Sequence, residues 1–107
     1  MAEFNIKQND SLPKIRVALA IDGVALDLTS CTVAFKLRLQ GSDTLKVNAA
    51  ATVVGAPTAG VVEYAWASGD TDTHGRYDAE FEVTVSGGGI FSTPTVGFLR
   101  VNVEESF

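Results

Sequence analysis

Asp70, Asp72 and His74 alternate through Asp70-Thr71-Asp72-Thr73-His74-Gly75. Oxygen ligands at the first, third and fifth positions followed by glycine at the sixth open a calcium-binding loop. The likeness then fails, because His74 takes the fifth ligand position and the twelfth falls on Phe81 instead of a bidentate glutamate. The segment is read as an Asp/Thr-rich connection whose side chains bond local backbone amides, and no metal ligand is assigned. His74 is the only histidine, so any histidine-dependent triad must use it, yet no Gly-x-Ser-x-Gly elbow accompanies it. A surface-loop histidine is the simpler reading. Cys31 sits on the apolar side of an alternating stretch with no basic neighbourhood to depress its pKa, which makes it a small buried hydrophobe and not a nucleophile. Gly87-Gly88-Gly89 lacks the Lys-Ser/Thr that follows a phosphate loop and reads as a hairpin turn. Trp66, Tyr64 and Phe98 could stack a sugar ring, but Tyr64 and Trp66 share a face with Val62, which favours core packing. No catalytic residue and no cofactor ligand is assigned, and the chain is expected not to be an enzyme.

The elements that would position these residues belong to one domain, since 107 residues are too few for two ordinary ones. Hydrophobic residues at 46% and charged residues at 20% lie within the globular range. Lys+Arg 8 against Asp+Glu 13 gives a net charge of −5, a sign that repels phosphate and disfavours nucleic acid as a partner. With one cysteine the fold cannot rest on an internal disulfide, and synthesis in the cytosol is the simpler expectation. Glu3 stands where a secretory signal has its basic region, and no apolar run follows, so no signal peptide is expected. No stretch approaches the roughly 18–20 apolar residues that cross a bilayer, and no membrane is expected as a partner.

Side chains on a strand alternate between faces, and two stretches show this period most regularly. Tyr77, Ala79, Phe81, Val83 and Val85 alternate with Arg76, Asp78, Glu80, Glu82 and Thr84. Cys31, Val33, Phe35, Leu37 and Leu39 alternate with Thr32, Ala34, Lys36 and Arg38. Both predict half-buried antiparallel strands, and the acidic outer row of one would be favoured beside the basic outer row of the other. Further strands are predicted at 4–7, 14–21, 24–28, 45–54, 62–66, 90–93 and 97–104. Asp22-Gly23 supplies a two-residue hairpin between the segments 14–21 and 24–28. Seven to nine short strands with turn signals every 8–12 residues or so predict an all-β, immunoglobulin-like antiparallel β-sandwich over residues 1–107. Tyr77, just after Gly75 at the start of an inner strand, stands where such folds place a tyrosine corner.

Asn48-Ala49-Ala50-Ala51-Thr52-Val53-Val54-Gly55-Ala56 carries no charge. Such a strand either lies inside the sandwich or presents an edge that pairs with another chain.

Three groups of residues carry a family likeness. They are Phe4-Asn5-Ile6-Lys7-Gln8-Asn9-Asp10-Ser11-Leu12-Pro13, Val24-Ala25-Leu26-Asp27-Leu28-Thr29-Ser30-Cys31-Thr32-Val33, and Gly60-Val61-Val62-Glu63-Tyr64-Ala65-Trp66 with residues 70–83. Together they resemble the N-terminal domain of the phage baseplate upper protein family. The resemblance implies an immunoglobulin-like, non-enzymatic component of a tailed-phage virion that binds other virion proteins and itself occurs in several copies. A baseplate, tail, neck or capsid-surface site is compatible with it. Contacts are expected at Phe4, Ile6 and Phe107 near the chain ends and at Val53 and Val54 on the uncharged stretch, through buried apolar area and main-chain pairing. The alternative is a carbohydrate-binding module that stacks a host-surface glycan on Trp66 or Phe98.

Overall fold

Alternating polar and apolar residues build the centre of the molecule, and the turns between them fix the order. The computed structural model describes residues 3–21, 23–85, 89–93 and 99–105. In chain order the strands are β1 (Glu3–Lys7), β2 (Ile15–Ala18), β3 (Ala20–Ile21), β4 (Val24–Ala25), β5 (Cys31–Leu39), β6 (Leu45–Val53), β7 (Val61–Tyr64), β8 (Gly75–Val85), β9 (Ile90–Thr93) and β10 (Leu99–Glu104). A 3-10 turn spans Pro57–Ala59. The main sheet runs β1-β10-β8-β5-β6-β7-β2, with β9 beside β8, and β3 and β4 form a separate hairpin.

The two most regular stretches, β5 and β8, pair antiparallel from Cys31 opposite Val85 to Leu39 opposite Tyr77. Their outer rows meet with opposite charge, as the composition of the two faces predicts. Lys36 faces Glu80 and Arg38 faces Asp78, while Lys36 Nζ reaches diagonally to Glu82 Oε2 at 2.9 Å. Each half-exposed pair of this kind contributes a few tenths of a kcal/mol, about the value of an ordinary cross-strand pair.

Closure comes from β6. Its Leu45–Ala51 part pairs with β5, whereas Thr52 and Val53 pair with Glu63 and Val62 of β7. The strip therefore folds over at the end of β6 and lays β7 and β2 across the inner face of β5 and β8. Phe35 marks the meeting point: its ring stacks on Tyr64 at 4.6 Å, meets Trp66 edge-on at 5.6 Å and packs beside Phe81 at 5.1 Å. Ile15, Leu28, Leu37, Val62, Val83 and Val101 complete a continuous apolar core, which is the main source of stability in a fold of this size.

Three features depart from the pattern read along the chain. The terminal strands β1 and β10 pair parallel, from Glu3 beside Arg100 to Lys7 beside Glu104, within a sheet that is otherwise antiparallel. The segment predicted as one strand over 14–21 breaks at Leu19, where the chain changes partner: Leu19 N–H donates to Gly60 O at 2.7 Å, extending the β7 register, and Leu26 N–H donates to Leu19 O at 3.0 Å, extending the β4 register. The strand predicted over 24–28 shrinks to two residues, because beyond Leu26 the chain leaves the hairpin and Leu28 N–H is given to Pro57 O. Leu39 and Val85, expected inside, are 41% and 37% exposed, since β5 and β8 run past the cover that β7 provides.

The tyrosine corner is present. Tyr77 is buried, and its hydroxyl donates to Thr73 O at 2.8 Å, tying the loop to the strand it feeds. Burial pushes the Tyr77 phenol above its ordinary pKa. Ala79, two residues on, is buried at the place where an antibody domain has its second cysteine. Tyr77→Phe is expected to lower stability by about 1 kcal/mol, because a partly buried hydrogen bond to Thr73 O is lost. The check is a shift in the urea midpoint with an unchanged slope.

Candidate assembly interface

Sheet edges are where a domain of this kind can join a neighbour, because their N–H and C=O groups face outward unpaired. Two of the edges are blunted by charge. The rim of β1 carries exposed Glu3 and Lys7. Beside β2, Lys14 Nζ and Arg16 Nη2 lie 3.6 and 3.0 Å from the Glu63 carboxylate, and the Arg16 hydrogen bond holds that carboxyl below its usual pKa.

The β6 edge is different. Val54 N–H donates to Val61 O at 2.9 Å, so Thr52 and Val54 turn their backbone groups toward β7. Strand alternation turns those of Ala50 and Asn48 the same way. The pairing with β7 reaches only to Thr52; among the described residues, no strand covers that side of β6 from Leu45 to Ala51. Asn48 and Ala50 are exposed, and Ala49 and Ala51 pack their methyls on the core. The uncharged stretch thus divides into an inner half held by β7 and an outer half left as an edge.

The expected contact residues scatter across this geometry. Phe4 is half-buried at the rim, 6.0 Å from the Trp66 ring. Ile6 is 3% exposed and fastens β1 to the core. Val53 faces Val62 in the β6–β7 pair, and Val54 continues it. Phe107, Phe98 and the first two residues of the triple glycine lie outside the described residues.

The residues weighed for chemistry have other occupations. In the 70–75 connection, the Asp70 carboxylate accepts from the Tyr64 hydroxyl and from Ala67 N–H at 2.8 Å. Burial and that carboxylate together raise the Tyr64 pKa. Asp72 accepts from Lys46 and Thr73, bonds that keep its carboxyl low and the Lys46 amine high. Buried Thr71 donates to Asp10 O at 2.8 Å, and Gln8 Nε2 donates to Asp72 O at 2.7 Å, so the loop straps the β1–β2 connection to the body. His74 is exposed on the same loop. Cys31 is only half-buried, with Sγ 3.6 Å from Thr29 O, because it opens β5 at the sheet margin. Trp66 is 6% exposed and its indole N–H donates to Pro13 O at 3.1 Å, which leaves it unable to offer a stacking face to a glycan.

Sequence reasoning missed one site. Arg76 and Arg100 line a cavity of about 400 Å³ on the outer face of β8 and β10. Their outward positions were legible from alternation, but their lack of ionic partners depends on register.

The crystal structure of CopC from Methylosinus trichosporium OB3b matches with a TM-score of 0.56 and 15% identity, covering 100% of this chain and 88% of that one; at that identity the likeness is one of fold alone. No curated protein matches the sequence. The family model of the BppU N-terminal domain matches residues 2–106. With nearly every residue inside that match, the chain belongs to the family of N-terminal domains of BppU, the phage baseplate upper protein.

Proposed function

We propose that the chain is a non-enzymatic structural component of a tailed-phage virion, at the baseplate, that holds neighbouring virion proteins by lending its β6 edge to a strand of the partner. Family membership supports the baseplate setting. The observation that carries the mode of binding is the uncharged side of β6 between Asn48 and Ala51, which no described strand pairs, beside edges that carry charge. Main-chain pairing along such an edge provides affinity, and the alternate side chains provide register. Phe4 at the rim and Val53 and Val54 at the fold-over are proposed as flanking contacts, with Ile6 acting from inside by anchoring β1. Phe107 is proposed with them on its place near the chain end. The same surface used in several copies around a symmetric particle gains from multivalency.

The test is incorporation into particles. Ala50→Pro removes an N–H that points away from β5, so the internal ladder survives while the edge is blocked. Its level in purified particles, by quantitative mass spectrometry, is expected to fall about tenfold or more, the loss of a few main-chain bonds. Asn48→Lys, which places a charge on the same edge, is expected to act alike and serves if the proline variant folds poorly. Wild-type incorporation of the lysine variant, or absence of the unaltered chain from particles, would overturn the proposal.

A further inference from the structure

We infer that the outer face of β8 and β10 holds a binding site for a single carboxylate, presented by an acidic side chain of a neighbouring protein. The starting observation is an imbalance of charge pairing. Of the eight Lys and Arg residues, Lys14, Arg16, Lys36 and Lys46 make ion pairs, and Lys7 and Arg38 are also engaged. The side chains of Arg76 and Arg100 have no ion-pair or hydrogen-bond partner among the described residues, although acids outnumber bases in the chain. Both line the same cavity of about 400 Å³, together with His74, Asn102, Glu3 and Glu104.

Register explains how this comes about. Arg100 stands between Glu3 on β1 and Asp78 on β8, the positions from which a cross-strand acid ordinarily neutralises it. Glu3 is instead turned to Asn102, whose Nδ2 lies 3.5 Å from Glu3 Oε2 and donates to Asn5 Oδ1 at 2.9 Å. Arg76 faces Asn102 across the β8–β10 ladder and so has no acid opposite it. Two further atoms are left over: Arg100 Nε and Asn102 Oδ1 are withdrawn from solvent without a hydrogen-bond partner. An orphan of this kind calls for a missing water or ligand, and here a charged donor and a neutral acceptor occur side by side.

Those leftovers specify the ligand. A guanidinium edge matches a carboxylate through two parallel N–H···O bonds, and the neighbouring amide oxygen takes an N–H such as a peptide bond offers beside an acidic side chain. Polyanions fit badly, because Glu3 and Glu104 flank the arginines and the whole chain carries −5. A monoanion meets two cations and two lining acids, while Asp78, beside Arg100, also faces Arg38 on β5. The occupant's identity as a virion neighbour rests on the function proposed above; the site itself does not.

Nitrogen–proton correlation spectra of the arginine side chains of the full chain provide the test, with N-acetylglutamate methylamide and its glutamine counterpart as probes. The Arg100 Nε–H signal is expected to move saturably with the glutamate compound and not with the glutamine one. Arg76→Gln and Arg100→Gln are each expected to weaken binding about tenfold, as removal of a charge-assisted bond does, and Lys36→Gln to leave it unchanged. Equal responses to the two probes overturn the inference without recourse to any variant. Tighter binding of inorganic phosphate or of a short single-stranded oligonucleotide overturns it too, by identifying a general anion site. Failure here with intact particle incorporation would sink the carboxylate site alone, and the reverse result would sink only the virion role.

Discussion

Replacing Gly60 with alanine is expected to cost roughly 2–5 kcal/mol, the sum of a left-handed backbone penalty and an overpacking penalty. Gly60 has φ +71°, and an added Cβ would stand 2.7 Å from Leu19 O, 2.8 Å from Leu26 O and 3.0 Å from Leu26 N. All three are backbone atoms, so no side chain can swing aside. Moving them apart would sacrifice the Leu19 N–H bond to Gly60 O, which ties the hairpin to the body, and the Leu26 N–H bond to Leu19 O, which closes the hairpin base. Gly55 supplies the control: it has nearly the same φ, +70°, but its Cβ would meet nothing within 4 Å. Gly55→Ala should therefore show only the backbone penalty, about 1–2 kcal/mol. Equal urea midpoints for the two variants would refute the steric part of the argument.

Truncating Phe35 to alanine should remove about 3–5 kcal/mol, the usual range for a fully buried aromatic. That is a large share of the roughly 5–15 kcal/mol a domain possesses. Phe35 is fully buried, and its ring touches Tyr64, Trp66 and Phe81, so the void would open where the two layers meet. Offset and edge-on ring contacts add to the area term, and Phe35→Leu, which keeps most of the volume but no ring, should fall between wild type and alanine. Trp66 reports the event directly. Its emission should move to longer wavelength in the alanine variant as water reaches the indole, and an unmoved spectrum with a loss below about 1 kcal/mol would contradict the central place given to this ring.

What the chain disclosed in advance was whatever depends on local periodicity. The alternation of Cys31–Leu39 matches β5 residue for residue, that of Arg76–Val85 differs from β8 only by Gly75, and the opposed charges on their outer faces pointed to their pairing. The tyrosine corner followed from one tyrosine beside one glycine. What stayed hidden depends on partners distant in sequence. The parallel seating of β1 against β10 brings together strands about a hundred residues apart, and nothing in either one encodes direction. The division of the uncharged stretch depends on where β7 stops pairing, a matter of layer geometry that Asn48-Ala49-Ala50-Ala51 cannot show. Gly60 looked like one more loop glycine until the carbonyls of Leu19 and Leu26 were seen against it. Arg76 and Arg100 were visibly outward, yet only the structure shows Arg76 opposite an amide and Glu3 turned from Arg100 to Asn102.

The parallel pairing of the first and last strands has a mechanical consequence. Because β1 and β10 run in the same direction, side by side from Glu3 and Arg100 to Lys7 and Glu104, the start of one and the finish of the other point to opposite ends of the seam. Tension pulling the two apart along the strand axis would load every hydrogen bond of that seam in shear at once. In an antiparallel seat the same bonds would unzip one after another, so this topology gives a part under axial load a grip that must fail all together or hold.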